Sequence, residues 1–234
     1  MEQRKIQFML DTNILIDLNK YLKSSTQYAM VTNPKHFCEI KALANLLDED
    51  LNKGRDRELF FSVPNRVLKE LISGYTTYGG EVFQMLRRFD ISTTVEMEKD
   101  AKEFRLIYSL LRGENNNYPL FQEDLFENEN NDCKIITLSI MKNMPVLTSN
   151  IKHFVGENNI IQNQIFERLD ACSKDSYVQK NFDLKYDKYG AYSISTFLEE
   201  YFPDRYEELV DDIKHMKNKG GLGDEKKAFF AFFF

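Results

Sequence analysis

Ile6-Gln-Phe-Met-Leu-Asp-Thr-Asn-Ile-Leu-Ile-Asp17 is an apolar run that halts on an acid and passes directly into a helical pattern. Apolar runs of about four to eight residues closed by turn chemistry read as buried strands, so a strand is expected to end at Asp11. Beyond it, Ile14, Leu15, Leu18, Tyr21 and Leu22 recur at the spacing of one helix face. A strand feeding straight into a helix opens an alternating α/β fold, and open parallel sheets bind ligands beyond the carboxyl ends of their strands. Asp11 stands at such an end. Its side chain is equally suited to capping the helix that follows, as are those of Thr12 and Asn13, because their oxygens accept from the first free N–H groups. The stretch alone leaves both readings open.

Further along, the same device returns. Glu58-Leu-Phe-Phe-Ser-Val-Pro64 reads as a second strand, stopped by a proline that cannot donate to a ladder. Asn65 is placed to cap a short helix with Val67, Leu68, Leu71 and Ile72 on one face, Glu70 one turn in, and Gly74 as its stop. Pro145-Val-Leu-Thr-Ser-Asn150 is a short apolar strand ending on Thr148, Ser149 and Asn150. Between these strands, Pro34 opens a helix that runs to Leu51, Gly79-Gly80 precede another over 81–89, and 95–111 carries Phe104, Ile107, Tyr108 and Leu111 at helical spacing. Lys99, Lys102 and Arg105 on the last of these alternate with Glu96, Glu98, Asp100 and Glu103, the pattern of a mixed solvated face. Asn131-Asp132 leads into Ile135, Ile136 and Leu138, which puts Asp132 at the start of a further helix.

Residues 113–131 are polar and long for a structureless connection. Past Phe154 the periodicity loosens: 160–169 reads as strand or helix, and 195–202 and 204–217 as helices parted by Pro203. The expected organisation is therefore an α/β domain over 1–158, a mostly helical extension over 159–219 and a Gly- and Phe-rich tail over 220–234.

Composition narrows the function classes. The 234 residues carry 42% hydrophobic and 29% charged residues, as an ordinary globular chain does. A net charge of −6 argues against bulk electrostatic attraction to nucleic acid, though not against a local basic groove beside an acidic site. Cys38, Cys133 and Cys172 are odd in number and far apart, and His36, His153 and His215 are as scattered, so a Cys/His zinc site is not expected. A reduced, cytoplasmic chain with no membrane span is expected. The order strand–Asp, helix–Glu, helix–Asp, strand–Ser/Asn holds three carboxylates and no obvious covalent nucleophile, which favours oxygen ligation of a hard cation, Mg²⁺ or Mn²⁺.

Together, Phe8-Met-Leu-Asp-Thr-Asn-Ile-Leu-Ile-Asp17, Val67-Leu-Lys-Glu-Leu71, Asn131-Asp-Cys-Lys-Ile-Ile136 and Pro145-Val-Leu-Thr-Ser-Asn-Ile-Lys-His-Phe154 resemble the PIN-domain ribonucleases in order and spacing, over about residues 4–155. The resemblance implies a three-layer α/β/α fold around a mainly parallel sheet. It implies a Mg²⁺- or Mn²⁺-dependent endoribonuclease of the kind found as the toxin in toxin–antitoxin pairs, with RNA as substrate, a protein antitoxin as partner and homo-oligomers in view. Asp11, Glu70 and Asp132 match the family's principal acids, Asn150 falls where many members carry a fourth, and Asn13 and Thr148 match supporting polar positions. Glu123 and Asp124 are alternatives for the third acid. Asp17, six residues past Asp11, reads as a surface acid, and His153 as either a phosphate contact or a packing or capping residue. A haloacid-dehalogenase-type phosphatase would want an acid where Asn13 stands. The competing reading is a catalytically inactive PIN-like scaffold that binds RNA or protein.

Overall fold

A computed structural model of the protein describes residues 5–65, 67, 68, 71, 79–94, 98–112, 131–182 and 189–218. Strand β1 (Ile6–Leu10) runs through the middle of a parallel sheet whose other described strands are β2 (Leu59–Pro64), β3 (Ser92–Thr94), β4 (Val146–Leu147) and β5 (Ala191–Tyr192). The order across the sheet is β3-β2-β1-β4-β5. Phe8, Met9 and Leu10 are all buried, as successive residues of a strand covered on both faces must be. Phe8 pairs with Phe61 of β2, and Met9 with both Ser62 of β2 and Val146 of β4.

Helices α1 (Thr12–Lys23), α2 (Ser25–Val31) and α3 (Pro34–Asn52) connect β1 to β2, and α4 (Gly79–Arg88) precedes β3. Helices α5 (Glu98–Arg112) and α6 (Asn131–Lys142) lie between β3 and β4. After β4 come α7 (Ile151–Val155), α8 (Ile160–Ser173) and α9 (Ser176–Asn181), then β5, α10 (Ile194–Tyr201) and α11 (Pro203–Asn218). The α1–α3 group packs with α4, α10 and α11, whereas α5, α6, α7 and α8 pack among themselves, giving one helical layer on each face of the sheet. This is the division that the usual right-handed crossovers of parallel sheets produce. The chain steps outward from β1 to β3 with its helices on one face. It then passes back beyond β1 to β4 and β5 with its helices on the other.

Local chemistry sets the element ends. Asn33 accepts a hydrogen bond from the His36 amide at 2.8 Å with Pro34 in the first turn, so α3 begins where Asn-Pro predicts. Asp50, near the end of α3 and buried, accepts from the amides of Glu58 and Leu59 at 3.0 and 3.1 Å, which delivers the chain into β2 in register.

Three departures from the sequence reading matter. Helix α2 occupies the stretch between the two helical patterns read from Ile14–Leu22 and from Pro34, nucleated by Ser24, whose side chain accepts from the Gln27 amide. Residues 160–169, left open between strand and helix, are helical, and Pro203 opens α11. The described residues of 159–218 are largely helical, and they join the sheet: β5 pairs with β4, and Phe197 of α10 is fully buried with its ring 5.0 Å from that of Phe8. The expected polar connection at 113–130 and the tail at 219–234 lie outside the described residues. Among the described residues no helix is long and apolar enough to cross a membrane.

Candidate functional site

The sheet's direction of growth reverses between β1 and β4, and the carboxyl ends of the strands at such a switch point are the place where open α/β sheets bind ligands. Asp11 follows β1 and Thr148 follows β4, and both are held there by the ladder itself. The Asp11 amide donates to the Leu147 carbonyl at 3.1 Å and the Thr148 amide to the Tyr192 carbonyl at 2.9 Å. Two neighbouring strands thus bring residues 137 apart in sequence into one hydrogen bond, from Thr148 Oγ1 to Asp11 Oδ2 at 2.8 Å.

Asp11 occupies the N-cap position of α1, yet its side chain makes no capping hydrogen bond. Its carboxylate instead accepts from Thr148 and, more distantly at 3.4 Å, from the side chain of Asn13, and the backbone of Thr12 adds a further bond. The residue is only 3% exposed. Burial pushes its carboxyl up to about 6; the charge of Asp132 adds to that push, while the bonds from Thr148, Thr12 and Asn13 oppose it. Among the described residues no lysine or arginine forms an ion pair with it.

Asp132 lies in the first turn of α6, its side chain one-quarter exposed, close enough for its charge to raise the Asp11 carboxyl. It is joined by His153 of α7, whose Nδ1 stands 3.0 Å from Asp132 Oδ2. Asn150 begins α7 with no capping bond from its side chain, and its amide donates to Thr148 Oγ1 at 2.9 Å. Of the expected site residues, then, Asp11, Asn13 and Thr148 are bonded together, with Asn150 tied to Thr148 through its backbone and Asp132 acting on Asp11 through its charge. Glu70 lies outside the described residues, as do Glu123 and Asp124.

These groups suit a hard cation. A buried carboxylate beside a second acid, with hydroxyl and amide oxygens nearby, is a donor set of the kind Mg²⁺ and Mn²⁺ take. The Asp11 carboxyl is raised first by its burial and then by the charge of Asp132. Among the described residues no three His, Cys, Asp or Glu side chains converge as an ion-binding group, so the described pair is Asp11 with Asp132.

A second polar cluster was not legible in the sequence. Asp17 is not the free surface acid expected of it: His36 Nε2 lies 2.9 Å from Asp17 Oδ2, and His36 Nδ1 lies 3.5 Å from Glu39 Oε2. Ser195 of α10 donates to the other Glu39 oxygen. Hydrogen bonds donated to Asp17 and then to Glu39 raise the His36 imidazole to about 9 against the opposing effect of burial. The only sequence signal was helical spacing on α1 and α3, which does not tell which residues of two helices meet.

Comparison with protein-family models, with curated proteins and with solved structures gives no significant match for this chain.

Proposed function

We propose that the protein is a Mg²⁺- or Mn²⁺-dependent endoribonuclease, in keeping with the resemblance of its four motifs to PIN-domain nucleases. The observation that carries this reading is the buried Asp11 carboxylate at the switch point of the sheet, oriented by Thr148 and Asn13 and set against the charge of Asp132.

Asp11 and Asp132 would hold the ion, with Glu70 and Asn150 as the further ligands that the motif resemblance assigns. When bound, the ion supplies positive charge to offset the negative charge that builds on a phosphodiester during hydrolysis. The chain's own part is positioning. Thr148 and Asn13 both donate to Asp11 Oδ2, which fixes the carboxylate plane before substrate arrives and spares reorganisation during the reaction. Burial of Asp11 keeps water from screening the site. A role as a growth-arresting toxin, cytoplasmic and held in check by an antitoxin that covers this acidic edge, belongs to the same proposal.

The test is incubation of the purified full chain with single-stranded RNA and DNA in Mn²⁺, Mg²⁺ or chelator, beside the Asp11→Asn variant. RNA cleavage that needs the metal and falls about 100-fold or more in the variant is expected, since even outer-shell partners of metal sites cost about 10–100-fold. A folded wild-type chain that cuts neither nucleic acid in any metal, yet retains RNA or a protein partner, would move the assignment to a binding scaffold.

A further inference from the structure

The two acids of the candidate site are joined by one short stretch of chain. Thr148 Oγ1 donates to Asp11 Oδ2 at 2.8 Å and accepts from the Asn150 amide at 2.9 Å. The Asn150 carbonyl in turn accepts from the His153 amide at 3.1 Å, and the His153 ring reaches Asp132 Oδ2 at 3.0 Å. A six-residue segment, anchored to the sheet through β4, therefore grips Asp11 at one end and Asp132 at the other. We infer that His153 is a positioning residue for Asp132, doing for that carboxylate what Thr148 does for Asp11, so that residues 148–153 set how the two acids face a shared divalent cation.

The chemistry of the contact fixes its direction. An ionised carboxylate only accepts, so the ring nitrogen at 3.0 Å, Nδ1, carries the proton and donates. A carboxylate that spends one oxygen on such a bond keeps lone pairs on the other for a cation, and its plane can no longer rotate freely. Asp132 needs this support more than Asp11 does. It is one-quarter exposed where Asp11 is buried, and it springs from the first turn of a helix with no strand ladder to hold it. The His153 ring is itself half exposed, so replacing it leaves no cavity in the core.

This inference rests on the cation site proposed above, and the experiment separates the two. Mn²⁺ affinity is measured by calorimetry on the full-length wild type, His153→Ala, His153→Asn and Asp11→Asn, with circular dichroism confirming that each is folded. The asparagine amide stands close to the position of Nδ1 and can donate in its place. Expected are a 10–100-fold loss of affinity in His153→Ala, the size typical of outer-shell partners, and a return to within a few-fold of wild type in His153→Asn. Unchanged affinity in His153→Ala, in a protein whose Mn²⁺ binding Asp11→Asn abolishes, overturns the role of His153 and leaves the cation site standing. Equal losses in the alanine and asparagine variants overturn the hydrogen-bond role. A wild type that binds no Mn²⁺ overturns this inference together with the site it rests on.

Discussion

Asp11 is held charged at an energetic loss, and the size of that loss can be measured. Its carboxyl rises from an ordinary value near 4 to about 6, so its linkage to folding has a defined sign. Protons bind the folded state more tightly, and the stability this brings is present below about pH 4 and lost as pH rises through 6. Two pKa units correspond to about 3 kcal/mol. In chelator at pH 7.5, Asp11→Asn is therefore expected to be more stable than wild type by up to about 3 kcal/mol, and the gap should close towards pH 4; urea denaturation at the two pH values reads both. A variant less stable than wild type at pH 7.5 would show that Asp11 serves the fold and not a ligand. The sequence placed Asp11 at a strand end because the apolar run there is local. It could not separate cap from ligand, because that choice depends on Thr148, which only the β1–β4 pairing brings within 2.8 Å.

Helices α1 and α3 are bound to one another through His36 and Asp17, with α10 joined to Glu39 of α3 by Ser195, and the His36 tie is pH-dependent in the opposite sense from Asp11. The imidazole is raised to about 9 by Asp17 first and Glu39 second. The stabilisation is complete below the unfolded value near 6.5 and is lost as pH climbs through 9. Burial works against the charge of Glu39, yet bonds from His36 and Ser195 hold its carboxyl below the usual range. Between pH 6.5 and 9.5 the wild type is expected to lose about 2–3 kcal/mol that His36→Gln does not, read as the difference between their denaturation midpoints at each pH. Parallel curves would assign the pH dependence to other groups. Elements with a pattern of their own were legible: α1 and α3 show helical spacing, and Asn33-Pro34 marks a start. Strands β3 and β5, three and two residues long, have none. Their extended form comes from the ladder they join, with Ser62 facing Ser92 and Val146 facing Ala191. Helix α2 had a signal in Ser24, a good N-cap, but seven residues are too few to show periodicity.

The division expected at residue 158 bears on how the whole chain folds. A β/α nuclease core with a detachable extension would fold without its last third, and the described contacts argue against that. The ring of Phe8, on the central strand, meets Phe197 at 5.0 Å, Tyr192 at 5.3 Å and Tyr201 at 5.5 Å, all edge-on and all from beyond residue 158. Charged pairs follow the same route: Lys41 meets Asp212 at 2.7 Å, and Arg205 pairs with Glu49, so α11 is fastened to α3 as well. Truncating at 158 would leave Phe8 facing water on one side and strip β4 of its outer neighbour, making an edge of a strand that carries Thr148. Phe197→Ala in the full chain is expected to cost about 3–5 kcal/mol, a large part of the roughly 5–15 kcal/mol that holds a typical domain. The 1–158 fragment is expected to lack a cooperative thermal transition and to be digested by protease throughout β1 and α1. A fragment that melts cooperatively would instead make residues 189–218 a true appendage. The stakes extend to the site, because the Thr148 amide is held by the carbonyl of Tyr192 on β5. If the outer strand is what keeps Thr148 aimed at Asp11, then Mn²⁺ affinity should fall in Phe197→Ala even where that variant remains folded, and the C-terminal third is a working part of the acidic edge.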